Sequence, residues 1–154
     1  MINIPVKYKR KGITIMESRV EQAAERKKCG HNCAQAVACT YCDLFGYKEE
    51  DVFRMTEGFG LGMGCMAGTC GALSGAVLLA GLKNSDGQIN APKTKGKTYK
   101  LSRQLLERFQ ERCGSTICAE LKGVTTGTPV HSCADCIKDA AAIVEEVLLG
   151  GENE

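Results

Sequence analysis

The chain lacks a strand signature. Sustained period-two alternation of apolar and polar residues is missing, and only eight of its 154 residues are aromatic, so a sheet-built core has little to rest on. It also lacks a charge imbalance: 20 basic and 18 acidic side chains leave a net charge of +2, which gives no whole-protein attraction to nucleic acid. The one basic run, Lys7, Lys9, Arg10 and Lys11, lies in the first dozen residues and reads as a frayed tail. Long apolar runs are missing too. The longest, Gly71 to Leu82, is twelve residues, against roughly twenty for a membrane span. After the basic run, Ile13-Thr-Ile-Met16 meets Glu17 before the apolar region of an export signal develops. The expectation is a cytoplasmic protein with no membrane and no nucleic-acid partner. No internal repeat appears, and no ordered nucleophile, histidine and carboxylate suggest hydrolysis. With 44% apolar and 25% charged residues, the length suits one globular domain. The boundaries read as a flexible basic tail over 1–15, a helical domain over 16–150 and a C-terminal tail over 151–154.

What is present is cysteine, ten of them, at 29, 33, 39, 42, 65, 70, 113, 118, 133 and 136. In a chain of this size without a visible export signal, such a number points to metal ligation or redox chemistry rather than a disulfide framework.

Helical spacing recurs along the chain. Met16, Val20 and Ala23/Ala24 share one face, and a second helix runs from Asn32 through Ala36, Val37, Tyr41 and Leu44 to Gly46. A third, from Lys48, carries Val52, Phe53 and Met55 and ends before Gly58. Gly58-Phe-Gly-Leu-Gly-Met-Gly64 then predicts a tight, extended loop, followed by a small-residue helix from Thr69 to about Leu82. A surface connection reaches about Lys97, after which Leu101, Leu105 and Phe109 mark a long helix closed by Gly114. A short helix spans about Ile117 to Lys122, and the last follows Ser132 with Ile137, Ala141, Val144 and Leu148. The fold class is all-α: about six helices, with a glycine-rich loop before a central helix. In that helix Gly71, Gly75 and Ala76 leave a face nearly free of side chains, suited to the bundle centre or a homodimer interface.

The caps put cysteines at helix starts. Asn32 with Gln35 forms a capping box that makes Cys33 the first helical residue, and Ser132 with Asp135 does the same for Cys133, with Cys136 one turn later. Thr69 is placed to cap a helix beginning at Cys70, and Ser115 or Thr116 one with Cys118 in its first turn. Unpaired N–H groups and the positive end of the helix dipole favour a nearby anion, so a thiol there ionises more readily. The thiolate is both nucleophile and metal ligand, and several helix starts can aim at one buried centre.

Other features carry less. Cys39-Thr-Tyr-Cys42 lies mid-helix, where core packing competes with ligation, and Cys133-Ala-Asp-Cys136 lacks a thioredoxin-like βαβ context. Neither is followed by histidine, which excludes covalent haem of the C-x-x-C-H type. His31 and His131, each two residues before a helix-start cysteine, read either as ligands or proton donors to the cluster or as solvated residues before a cap. Ala91-Pro-Lys-Thr-Lys-Gly-Lys97-Thr98 fits a loose phosphate-loop pattern without the preceding strand the mechanism needs, and the Gly58–Gly64 run lacks one as well.

Asn32-Cys33-Ala-Gln-Ala-Val, Gly58-Phe-Gly-x-Gly-Met, Cys70-Gly-Ala-Leu-Ser-Gly75, Cys118-x-Glu-Leu-x-Gly123 and the last cysteine helix together resemble the family of redox-active proteins known by its C_GCAxxG_C_C cysteine signature. The likeness spans roughly Cys33 to Leu149. It implies an all-helical fold, a redox or iron–sulfur role, and four principal cysteines: Cys33, Cys70, Cys118 and one of Cys136 or Cys133. The family also looks related to the helical domain of split-Soret cytochromes, without their haem-attachment motifs. The expected cofactor is an iron–sulfur cluster that exchanges electrons with a donor or acceptor protein. Thiol–disulfide exchange by the same cysteines and a structural zinc site are the alternatives. Gly58, Gly60, Gly62, Gly71 and Gly75 are expected to support the site, with His31, His131 and Cys65 in a second tier. Cys29, Cys39, Cys42 and Cys113 have no assigned role.

Overall fold

A computed structural model describes residues 7–10 and 13–150. Six helices of two turns or more make the bundle: α1 (Val20–Lys28), α2 (Cys33–Tyr41), α3 (Glu49–Thr56), α5 (Gly71–Asn84), α6 (Lys95–Cys113) and α8 (Cys133–Val144). Single turns lie between them, α4 (Gly60–Met63) and α7 (Cys118–Leu121) with 3-10 turns over Cys42–Phe45 and Glu57–Phe59, and α8 continues into a wider π-type turn over Glu145–Leu149.

The termination signals follow residue chemistry. Gly46 and Gly114 close the second and sixth helical segments in the left-handed conformation that only glycine adopts without strain. Basic Arg26, Lys27 and Lys28 sit at the C-terminal end of α1, opposite in sign to its dipole.

At the centre, α2 packs on α5, and α8 lies across both. Every residue of α2 after Cys33 is buried. The small face of α5 is taken up within the chain itself: a Cβ on Gly75 would stand 2.6 Å from the Ala34 carbonyl oxygen, so the two backbones touch there. Leu105, Phe109 and Cys113 of α6 fill the far side against Leu73, Leu79 and the apolar face of α8. Among the described residues every buried side-chain nitrogen and oxygen has a hydrogen-bond partner. The Tyr41 hydroxyl donates to Glu145 Oε1 at 2.7 Å, and the Arg19 guanidinium donates to both Asp43 oxygens and to the Thr40 carbonyl.

Two segments depart from the sequence reading. Where a basic tail is expected, Lys7–Arg10 and Ile13–Met16 pair as an antiparallel hairpin. Tyr8, Ile13, Thr14 and Ile15 have strand-favouring side chains, which a search for long alternation passes over. The rest of that tail (1–6 and 11–12) and the expected tail 151–154 lie outside the described residues. The glycine-rich loop is curled, not extended. Leu61, Gly62, Met63, Gly64 and Met66 all have left-handed angles, with φ between 54° and 76°, and the turn closes through Gly64 N–H to Gly60 O and Met66 N–H to Leu61 O. Three non-glycine residues in that region store strain, which a folded chain retains where the surroundings demand the shape.

Candidate functional site

The curled loop and α7 are sewn together by backbone bonds. Cys118 N–H donates to Gly68 O at 3.0 Å, Ala119 N–H to Met66 O at 2.8 Å, and Cys70 N–H to Thr116 O at 2.7 Å. Thr69 pairs with Ile117 in an isolated antiparallel bridge. That bridge overturns the expected cap at Thr69: the helix starts at Gly71, and Cys70 is itself the N-cap residue. The starts at Cys33 and Cys133 agree with the capping logic, whereas the expected cap at Ser115 or Thr116 gives way to Ile117, which caps α7 without a side-chain bond. Asn32 and Gln35 form a full capping box ahead of Cys33. Ser132 Oγ accepts from Asp135 N–H ahead of Cys133, although the Asp135 carboxylate meets the Ser132 hydroxyl and not its N–H. Cys118 opens α7 after Ile117, with Ser115 Oγ accepting from Ile117 N–H.

These starts converge. Cys33, Cys70, Cys118, Cys133 and Cys136 all line one cavity of about 120 Å³ between α2, α5, α7 and α8, with Lys27, Lys122 and His131 at its edge. Gly62 forms part of the wall. A Cβ there would lie 2.4 Å from Cys118 Cβ and 3.3 Å from its sulfur, in a backbone with φ of 55°. A Cβ on Gly60 would meet the Asn32 side chain at 2.6 Å, and one on Gly71 would stand less tightly, 3.1 Å from Phe59 O and 3.2 Å from Cys33 Cβ. Gly58 has open space around it, so nothing steric requires glycine at that position.

Helix-start chemistry acts selectively. Cys70 is drawn down to about 7, chiefly by the neighbouring Cys136 thiol, against the cost of burial, with the N–H groups of Ala72 and Leu73 and the nearby His131 assisting. Cys33 instead is pushed up to about 11 by burial, and the thiols of Cys133, Cys70 and Cys118 add to that rise while Lys27 opposes it. Burial also raises Cys118, whose own N–H and that of Ala119 are already engaged by the loop. Several thiolates in one cavity repel each other, and a cation placed among them favours the fully ionised set.

The remaining candidates separate. His31 lies in another cleft with Arg26, Cys29, Cys39 and Cys42. Its ring stands edge-on to Phe53 at 5.3 Å and its Nε2 is 3.3 Å from Arg26 Nη1. Cys65 is exposed, 3.8 Å from the Gly62 carbonyl and outside the cavity lining. Cys39 and Cys42 are buried and bond back to the carbonyls of Glu49 and Cys39, as core thiols do. All ten cysteines are free.

His131 does reach the site, and two residues the sequence reading left unassigned come with it. Donor atoms of Cys113, His131 and Cys136 lie within 4.8 Å of one another, a group able to hold a metal ion. Asp139 Oδ2 stands 2.7 Å from His131 Nε2. A sequence signal for Asp139 existed, since it follows Cys136 by three residues and so shares its helix face. None existed for Cys113, which the fold delivers from the end of α6.

Comparison with known proteins gives one result: the model of the family described as "Putative redox-active protein (C_GCAxxG_C_C)" matches residues 31–147. No curated protein and no solved structure matches.

Proposed function

The chain belongs to the C_GCAxxG_C_C family of redox-active proteins, and from that premise we propose that it is an electron carrier whose Cys33, Cys70, Cys118 and Cys133 hold an iron–sulfur cluster. The observation that carries the reading is the single cavity lined by cysteines from the starts of four helices. Four thiols suit such a cluster, and when bound it supplies one-electron transfer to and from a partner protein.

The chain's own residues do the rest. Cys70, held below the usual thiol range by Cys136 and by the N–H groups of Ala72 and Leu73, ionises more readily than Cys33 or Cys118. Lys27 and Lys122 offset negative charge at the rim, and Gly62 keeps the wall beside Cys118 free of a side chain. Cys133 is preferred to Cys136 as the fourth ligand. Cys33 responds to the thiols of Cys133, Cys70 and Cys118, and Cys118 to those of Cys70 and Cys133. Cys136 instead has Cys113 and Cys70 as its neighbouring thiols, and these, with burial, push it strongly up.

One observation favours a second reading, thiol–disulfide exchange. A Cys70 thiolate with the Cys136 thiol beside it has the makings of an attacking and a resolving sulfur. Metal and sulfide analysis of anaerobically purified protein, with its visible spectrum before and after dithionite, separates the readings. Iron with sulfide and a broad absorbance that bleaches on reduction is expected. A metal-free protein with a reversible two-electron dithiol titration supports exchange, and zinc in the cavity without iron supports a structural site.

A further inference from the structure

At one side of the thiol cavity, sharing Cys136 and His131 with its lining, lies a group of side chains that is not among the four proposed cluster ligands. Cys113 closes α6, His131 sits in the loop before α8, and Cys136 lies one turn into α8. Their donor atoms fall within 4.8 Å of one another. Both sulfurs belong to residues only 2% exposed, and the imidazole is about one-quarter exposed. Two thiols and an imidazole form a borderline-soft N/S set, the type that selects zinc over hard cations.

We propose that Cys113, His131 and Cys136 form a second, mononuclear metal site for zinc(II), with Asp139 as the residue that positions the histidine. Asp139 Oδ2 lies 2.7 Å from His131 Nε2. A carboxylate accepts only, so Nε2 carries the proton and Nδ1 is left for the ion. A metal-bound histidine typically has such a partner, which fixes its tautomer and orientation. The same carboxylate oxygen is 3.8 Å from Cys113 Sγ, close enough to take up the thiol proton as the ion enters. Two thiolates against a divalent ion cancel in charge, which lets both sulfurs be anionic inside the core. Each binding event forms two sulfur–metal bonds and one nitrogen–metal bond and releases two thiol protons, with no change of oxidation state. Three protein donors leave one coordination position for water or an added ligand.

The ion joins the end of α6 to the start of α8 and so pins the loop 114–132 between them. It also takes Cys136 out of the cavity, leaving Cys133 as the fourth cysteine there. That last consequence rests on the cluster reading, whereas the zinc site does not.

Cobalt(II) serves as the spectroscopic probe, titrated under anaerobic conditions into metal-free full-length protein. In a Cys33→Ser/Cys118→Ser background, which disables the cavity, one equivalent is expected to bind, with intense tetrahedral bands and a thiolate charge-transfer band. Adding His131→Ala or Cys113→Ala to that background is expected to abolish those bands. Asp139→Asn is expected to weaken binding about 10–100-fold while keeping the same spectrum. Should the double variant lose its helical circular dichroism, the comparison moves to the native chain. There His131→Ala, whose side chain reaches the surface, is expected to bind one cobalt fewer than the unaltered protein at saturation. Equal stoichiometry in both, or cobalt bands that survive His131→Ala and Cys113→Ala, overturns the proposal. So does a folded double variant that binds no cobalt. Iron and sulfide contents in the same set of proteins report on the cavity separately: they are expected to fall with Cys33→Ser and to stay with Cys113→Ala, whose side chain does not line the cavity.

Discussion

Replacing Gly62 with alanine puts a methyl group where the curled loop meets Cys118. Two costs arise, and they can be told apart. The backbone is left-handed at φ 55°, which costs a side-chain-bearing residue roughly 1–2 kcal/mol. The methyl also stands 2.4 Å from Cys118 Cβ and 3.0 Å from the Gly68 carbonyl, an overpacking that costs about 1–3 kcal/mol. Gly64 is the control. Its φ of 76° is also left-handed, yet nothing lies within 4 Å of the added Cβ. Any gain from a stiffer unfolded chain is common to both replacements and cancels in their difference. Gly62→Ala is therefore expected to lower unfolding free energy in urea about 1–3 kcal/mol further than Gly64→Ala, with unchanged slopes. It should also lower iron and sulfide loading, because Cys118 must shift to make room. Equal midpoints for the two variants would refute the claim that the loop is pressed against a cavity cysteine.

Three further outcomes follow from the geometry. Gly75→Ala forces a methyl into the Ala34 carbonyl at 2.6 Å and is expected to cost about 1–3 kcal/mol in the same urea assay by parting α2 from α5. Asn32→Ala removes the cap on Gln35 N–H and the bond to the Glu57 carbonyl; about 1–2 kcal/mol should go, with Asn32→Ser recovering part through its hydroxyl. Burial pushes Cys39 up to about 12 and Cys42 up to about 11 from 9.0. The folded state favours their neutral forms, so this stability is complete below pH 9 and is lost as pH rises from 9 towards 12. Unfolding free energy measured across that window should fall steeply in the native chain and less steeply in Cys39→Ala/Cys42→Ala.

Much of the bundle is written locally. Asn32 with Gln35, Ser132 with Asp135 N–H, and Gly114 set helix ends through contacts within a few residues, and these are the ends that spacing located. The start of α5 is different. Thr69 is a good cap by type, but its backbone pairs with Ile117, nearly fifty residues on, and the cap passes to Cys70. The curl of the loop is also decided at a distance, by Gly68 and Met66 carbonyls receiving the N–H groups of α7. The convergence of cysteines could be anticipated because caps fix where each helix begins. Their acidity could not, since burial beside other thiols outweighs the helix start at Cys33 and spares Cys70 chiefly through Cys136. His31 and His131 hold equivalent places in sequence, yet the turn of the chain after Leu121 brings only the second to the cavity. There Val130 and His131 N–H both reach the Leu121 carbonyl.

The central claim, that Cys33, Cys70, Cys118 and Cys133 act together as the ligands of one cluster, is tested most directly by reconstituting the metal-free protein with iron and sulfide under anaerobic conditions. The unaltered chain is compared with single alanine replacements at those four positions and at Cys65 and Cys136. The account predicts a cluster-type spectrum with bound iron and sulfide in the unaltered chain, in Cys65→Ala and in Cys136→Ala, and its loss or marked weakening in the other four. Undiminished iron and sulfide in Cys33→Ala, Cys70→Ala, Cys118→Ala or Cys133→Ala, or none taken up by the unaltered chain, would contradict it.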